Sequence, residues 1–64
     1  MTNIKRLRLA KKLTQAYVAN ALDINAATLS KWEKGKMMPR ASKLTALAEI
    51  LDCSVDALLS GKEE

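Results

Sequence analysis

The sequence lacks histidine and phenylalanine and contains a single cysteine among its 64 residues. Without histidine or a second thiol, the chain cannot form a zinc site of the usual His/Cys kind, an internal disulfide or a Ser-His or Cys-His nucleophile pair. Glycine occurs only at positions 35 and 61, which excludes a glycine-rich phosphate loop. We therefore expect no metal, no cofactor and no enzymatic activity, and the default is a binding module.

Long apolar runs are also missing. No stretch approaches the ~20 apolar residues of a membrane span, and the basic N-terminal segment lacks the features of a signal peptide. The lone cysteine fits a reducing compartment. We expect no membrane association and a cytoplasmic location. With 48% hydrophobic and 28% charged residues, the composition is typical of one compact domain over residues 1–64, ordered over about 3–60.

The net charge of +4 is unevenly distributed. Residues 1–43 contain ten basic and two acidic side chains, a net charge of +8, whereas residues 44–64 contain one basic and five acidic side chains, a net charge of −4. A basic front of this kind indicates a polyanionic partner. The alternative is an ordinary surface on which the charges happen to be uneven, and charge alone does not separate the two.

Helical spacing of apolar residues runs along the chain, and no alternating pattern typical of a strand persists. We therefore predict an all-α fold with helices at about residues 2–12, 15–22, 26–34 and 41–51, and a fifth helix between Ser54 and Gly61. Small or polar residues mark the ends of these helices. The expected N-caps are Thr14, Asn25 and Ser54, and the expected residues at or just past helix C-termini are Asp23, Gly35 and Asp52.

The apolar faces of these helices define a candidate core. Helix 1 offers Ile4, Leu7, Ala10 and Lys11 on one face, helix 2 offers Ala16, Val18, Ala19 and Leu22, and helices 3 and 4 offer Leu29, Trp32, Leu44, Leu47, Ala48 and Leu51. In helix 5, Val55, Leu58 and Leu59 face inward or toward a partner. Trp32 is expected in the core and Glu33 in a charge pair with a helix 1 residue. Cys53 is expected to be a small apolar plug or a turn residue rather than a redox sensor.

Helices 2 and 3 are separated by about three residues, with small Ala19 at the crossing, which predicts a helix-turn-helix. The second helix then stands out with its N-terminal turn exposed. A helix is about 10–12 Å across, a width that the DNA major groove accommodates.

Five sequence pieces occur in a set order: LTQ at 13–15, VA at 18–19, TLSKWEKGK at 28–36, Pro39, and LAEILDCSVDALL at 47–59. Together they resemble the phage repressor and Cro type of helix-turn-helix domain, the XRE family, over about residues 4–60. The resemblance implies a compact five-helix bundle that binds double-stranded DNA sequence-specifically. It also implies transcriptional regulation, as a repressor associated with the nucleoid and as a two-fold dimer.

The same resemblance implies which residues contact DNA. The positions expected to face bases are Ala26, Ala27, Thr28, Ser30 and Lys31. The positions expected to face the phosphate backbone are Gln15, Asn25, Lys36, Met37, Arg40 and Lys43. The unpaired backbone N–H groups at the start of helix 2 also favour an anion beside Gln15.

The sequence departs from the family pattern most clearly at Ala26 and Ala27, where relatives often carry Gln, Ser or Arg. Two alanines offer only apolar contacts, for example to a thymine methyl group. Direct base reading then falls to the remaining recognition positions, with a contribution from DNA shape, or else the sequence preference is weak. Tyr17, Asp23 and Asp52 also depart from the pattern; Glu is common at the first position and Gly at the other two.

One short helix gives a monomer too little contact for tight binding, so we expect a weak homodimer that tightens on DNA. The dimer places its recognition helices about 34 Å apart, one turn of DNA. The residues expected at the dimer interface are Cys53, Val55, Leu59 and Ser60.

A second hypothesis is a protein-interaction module, such as an antitoxin or a switch component. Its contact surface is expected to be an exposed apolar patch of Leu9, Tyr17, Met37 and Met38. The alternative for the two methionines is that they are half-covered loop residues without a partner.

Overall fold

The computed structural model describes residues 3–59, and this part of the chain forms five α-helices without a strand. The helices are α1 (Ile4–Ala10), α2 (Gln15–Leu22), α3 (Ala26–Glu33), α4 (Ala41–Leu51) and α5 (Val55–Leu59). The predicted all-α, five-helix architecture is therefore confirmed. None of the helices in this described part is long and apolar enough to cross a lipid bilayer.

The N-cap side chains are those that the sequence predicts. Thr14 Oγ1, Asn25 Oδ1 and Ser54 Oγ each accept a hydrogen bond from the backbone N–H three residues further on, at 3.0, 2.8 and 3.0 Å. Each bond satisfies one donor that a helix start otherwise leaves without a partner. The starts of α2, α3 and α5 are therefore set by local side-chain chemistry.

The C-terminal ends of α2 and α4 also match the prediction, since Asp23 and Asp52 adopt the left-handed backbone with φ of 59° and 56°. Helix α3 ends at Glu33, one residue earlier than predicted, and Gly35 follows with φ of 77°. The expected end of the fifth helix at Gly61 lies outside the described residues.

Helix α1 is shorter than the predicted span of 2–12. It ends at Ala10 because Lys12 adopts the left-handed backbone with φ of 59° and the Leu13 N–H turns back to the Arg8 carbonyl at 3.1 Å. Lysine rarely adopts this conformation, so the residue type gave no signal for a helix end. Residues 1 and 2 lie outside the described part of the chain.

Side chains from all five helices build the core. Trp32 is 4% exposed, which confirms its predicted place inside. Ala10 and Ala16, both predicted on apolar faces, are instead exposed. The remaining buried members of the core cluster are Ile4, Val18, Leu22, Leu29, Leu47, Ala48, Leu51 and Leu58.

Candidate nucleic-acid interface

Helices α2 and α3 are joined by a tight three-residue connection. The left-handed Asp23 reverses the chain, and the Ile24 N–H donates to the Ala19 carbonyl at 3.0 Å. Ala19 is buried at 3% exposure, so the two helices pack closely where their axes cross. This geometry confirms the predicted helix-turn-helix.

Helix α3 has one buried side and one open side. Leu29 and Trp32 are buried in the core. The predicted base-facing residues lie on the rest of the helix: Ala26, Ala27 and Lys31 are exposed, and Thr28 and Ser30 are half-buried. The open side therefore offers methyl groups, two hydroxyls and one ammonium over a helix of about 12 Å.

Asn25 and Thr28 form a small polar cluster at the start of α3. Asn25 Oδ1 accepts both the Thr28 N–H at 2.8 Å and the Thr28 hydroxyl at 3.1 Å. The Thr28 hydroxyl hydrogen is thereby used, so its oxygen is left to accept, while the Asn25 amide nitrogen keeps its donors. Both residues are polar groups of fixed orientation at the N-terminus of α3, which the prediction directs toward DNA.

Gln15, at the start of α2, belongs to a buried polar network. Its Nε2 donates to Glu33 Oε1 at 2.9 Å, and Arg8 Nε lies 2.6 Å from Glu33 Oε2. The Arg8 and Glu33 side chains are 8% and 3% exposed. The predicted charge pair between Glu33 and a helix 1 residue is therefore confirmed, and Gln15 shares its carboxylate.

The connection from α3 to α4 and the first turn of α4 supply the other predicted phosphate contacts. Lys36, Met37 and Arg40 are exposed along this loop and at the N-cap of α4. Lys43 is half-buried, and its ammonium group donates to the Leu22 carbonyl at the end of α2. These four residues lie on the segment that directly follows the open helix.

The charges around this segment are predominantly positive. Between residues 24 and 48 the single acidic residue is Glu33, whose carboxylate is buried against Arg8. The exposed acids that follow residue 48 in the described part of the chain lie in α4, in α5 and in the junction between them: Glu49, Asp52 and Asp56. The exposed cations of the loop region are Lys31, Lys34, Lys36 and Arg40.

A shallow cleft of about 380 Å³ lies between α3, the loop and α4. Its apolar wall includes Trp32 and Pro39, and its polar lining includes Thr28 and Arg40. The cleft thus adjoins the predicted base-facing and phosphate-facing residues and belongs to the same surface. Its other lining residues are Ile24, Met37, Met38 and Lys43.

The apolar side chains of the second hypothesis are exposed. Tyr17 and Met38 are 58% and 59% exposed, and Leu9 and Met37 are exposed as well. Met37 is 45% exposed, so the two loop methionines are about half covered, as the loop interpretation predicts.

The C-terminal corner contains the predicted dimer residues. Cys53 and Val55 are half-buried and pack against the core, and Leu59 is 39% exposed. Ser60 lies outside the described residues. Burial raises the pKa of the Cys53 thiol, Asp52 adds to the increase and Lys11 opposes it. No group of metal-ligating side chains occurs among residues 3–59.

Arg8 is a site residue that the sequence reasoning missed. Arg8 is buried, and it donates to Glu33 and, from Nη1, to the Leu13 carbonyl at 2.8 Å. Arg8 follows the buried Ile4 by four residues and therefore lies on the same helix face. That spacing was the available signal.

Two short helices joined in this way, with the second open along its outer side, define a helix-turn-helix module. A profile of the helix-turn-helix family matches residues 4–58. The chain therefore belongs to the helix-turn-helix family, in its phage-repressor or XRE form.

Several curated proteins are similar over most of this chain. The HTH-type transcriptional activator BcrR of Enterococcus faecalis is 37% identical over 94% of this chain and 29% of its own length. The HTH-type transcriptional regulator DicA of Escherichia coli is 40% identical over 83% of this chain and 39% of its own length. The chain thus spans well under half of either protein.

A solved structure shows the same fold. The P22 c2 repressor protein, crystallised in complex with synthetic operator 9T in the presence of Tl+, superposes with a TM-score of 0.84 at 32% identity. The match covers 92% of this chain and 89% of that chain.

Proposed function

We propose that this chain is a sequence-specific double-stranded DNA-binding transcriptional regulator, a binding module rather than an enzyme, which inserts α3 into the major groove. The observation that carries the proposal is the exposed side of α3, which the exposed cations Lys34, Lys36 and Arg40 follow in the sequence. The similar proteins named above are transcriptional regulators, and the similar structure holds an operator. We further propose that it acts as a repressor in the cytoplasm, on the nucleoid.

In this proposal the open side of α3 meets the base edges. Lys31 donates to guanine acceptors, Thr28 and Ser30 offer hydroxyls, and the methyl groups of Ala26 and Ala27 contact thymine methyl groups. Two alanines supply no hydrogen bond, so the deformability of the operator contributes to the choice of sequence.

The phosphate contacts flank this helix on both sides. Gln15 and Asn25 donate amide hydrogens, and the loop residues Lys36, Met37 and Arg40 reach the backbone together with Lys43. Three cations in each protomer make six in a dimer, which corresponds to a slope of about −5 for log K against log salt.

We propose a weak two-fold homodimer that forms or tightens on DNA. The partly open corner of Cys53, Val55 and Leu59, continued by Ser60, is the proposed interface. Binding to DNA raises the local concentration of the second protomer and so strengthens a weak contact. Mass measured in solution from micromolar to millimolar protein, with and without operator, tests this, and a stable monomer that binds half-sites independently contradicts it.

Selection of binding sites from a random duplex library tests the main proposal. We expect an enriched site with two related halves about one helical turn apart, and a linear loss of affinity with salt. Lys36→Ala should reduce the salt slope by ~0.9 per protomer. Lys11→Ala is the matched control, because this lysine already pairs with Asp52 at 3.3 Å.

The second candidate function is a protein-interaction module, favoured by the exposure of Tyr17, Leu9 and the two loop methionines. The two functions differ in their response to random duplex DNA at ~50 mM salt, where a helix-turn-helix regulator binds non-specifically. Absence of binding under these conditions overturns the DNA-binding proposal and favours a protein partner.

A further inference from the structure

We infer that Glu33 is a positioning residue that, together with Arg8, holds the side-chain amide of Gln15 in one orientation for contact with a DNA phosphate. The inference rests on the proposed function, because it assigns a role in DNA binding to a carboxylate that is buried and does not itself face the partner. Glu33 is the last residue of α3 and Gln15 the first of α2, so the network joins the two helices of the module.

The chemistry of the contact selects one flip state of the amide. An ionised carboxylate only accepts hydrogen bonds, so the NH₂ side of Gln15 faces Glu33 and its carbonyl oxygen does not. The Nε2–Oε1 distance is 2.9 Å, which uses one of the two amide hydrogens. Because the NH₂ group is planar, its second hydrogen is directed away from the carboxylate and is available to an acceptor outside the network.

The carboxylate that sets this orientation is itself held in place. Arg8 Nε lies 2.6 Å from Glu33 Oε2 and Arg8 Nη2 lies 3.3 Å from Oε1, a two-point contact. Arg8 Nη1 in turn donates to the Leu13 carbonyl at 2.8 Å, between α1 and α2. Three parts of the chain therefore fix one amide, and the ion pair is shielded from solvent.

A Gln15 side chain that is already held in one orientation pays a lower entropic cost when it contacts a phosphate. A free glutamine side chain loses rotamer freedom when it binds, and a side chain that is already ordered loses less. The saving corresponds to a roughly two- to tenfold gain in affinity per contact. It is independent of DNA sequence, because phosphates carry no sequence information.

A double-mutant cycle tests the inference. Gln15→Ala is made in the wild-type chain and in the Arg8→Met/Glu33→Met chain, which removes both charges of the pair and leaves no unpaired buried charge. Affinity for random duplex DNA is measured by fluorescence anisotropy at one salt concentration. We expect Gln15→Ala to weaken binding roughly two- to tenfold in the wild type and less than ~twofold in the double variant.

A control separates positioning from general loss of stability. Ile50→Ala shortens a half-buried side chain of α4 that is not part of the network. In this background, Gln15→Ala should keep its full effect on DNA binding. An equal effect of Gln15→Ala in the wild type and in the Met pair overturns the inference while leaving the proposed function intact. Failure of the wild type to bind any duplex overturns both.

NMR of the wild-type protein gives a second readout that needs no variant. We expect the Gln15 side-chain amide to be restrained in its motion, with the hydrogen bonded to Glu33 protected from exchange. A Gln15 side-chain amide that moves freely overturns the inference even if the measured affinities agree with it.

Discussion

The ammonium group of Lys43 donates a hydrogen bond to the carbonyl of Leu22, 21 positions earlier in the chain. Leu22 is the last residue of α2, where the unpaired carbonyls carry partial negative charge. A cation supplied by α4 therefore caps α2 just before the chain turns into α3.

Replacing this cap gives a first prediction. Lys43→Met keeps most of the apolar stem but removes the donor, and we expect a loss of roughly 1–2 kcal/mol in the free energy of unfolding. If Lys43 also meets a phosphate as proposed, the salt slope of DNA binding falls by ~0.9 per protomer. Urea denaturation and a salt series measure the two effects, and an unchanged slope limits Lys43 to capping α2.

Lys31 is the one charged side chain on the open side of α3 among its proposed base-facing residues, so its removal probes base reading. We expect Lys31→Ala to weaken binding to the selected operator by roughly 1–3 kcal/mol and to relax the preference at one base pair. Affinities for a set of single-base operator variants measure this. Equal weakening on every sequence would instead identify Lys31 as a phosphate contact.

The left-handed backbone of Asp23 predicts a stabilising substitution. Glycine has no Cβ to clash at a φ of 59°, so Asp23→Gly should raise the free energy of unfolding by about 0.5–1 kcal/mol. Asp23→Ala keeps the Cβ and loses the polar group, so it should lower that free energy. The comparison uses urea midpoints, and a glycine variant less stable than the alanine variant contradicts it. Asp52 is a poorer test position because it also pairs with Lys11.

The raised pKa of the Cys53 thiol predicts a pH dependence. Since the thiol is harder to ionise in the folded chain than in the unfolded one, its contribution to stability is complete below the unfolded pKa. That contribution is lost as the pH rises through the folded pKa, so the effect appears only at alkaline pH. As the pH rises from the ordinary pKa of a thiol through the raised pKa of Cys53, the free energy of unfolding of the wild type should therefore fall relative to that of Cys53→Ala. A pH-independent difference contradicts the assignment.

Alkylation of Cys53 by iodoacetamide checks the same property directly. At mildly alkaline pH the folded chain should react more slowly than the chain unfolded in urea, because less thiolate is present and the sulfur is half-buried. Equal rates in the two states contradict the raised pKa.

Local signals predicted much of this fold. Thr14 and Asn25 are capping residues whose role depends on their nearest neighbours in sequence, so the starts of α2 and α3 could be placed correctly. The end of α2 at Asp23 was predicted for the same reason. The early end of α1 was not, because Lys12 is not a residue type that marks such a turn.

Contacts between distant segments account for what the sequence could not provide. Glu33 was expected to pair with a residue of helix 1. Which basic residue of that helix is the partner depends on how α1 packs against α3, and in the structure it is Arg8. The Gln15 bond to that carboxylate and the Lys43 bond to α2 likewise exist only once the helices are assembled. The exposed face of α3 could be placed from spacing, whereas the partners of its flanking side chains could not.

The two leading alanines of α3 have a consequence for how such a domain diversifies. Ala26 and Ala27 are exposed and support no part of the core, so larger side chains at these positions require no repacking of the interior. Straight-chain residues such as Gln or Arg also keep a helix nearly as well as alanine does. One or two substitutions at these positions can therefore change the proposed sequence preference at little cost to folding. The exposed side of α3 tolerates such changes more readily than the packed core does.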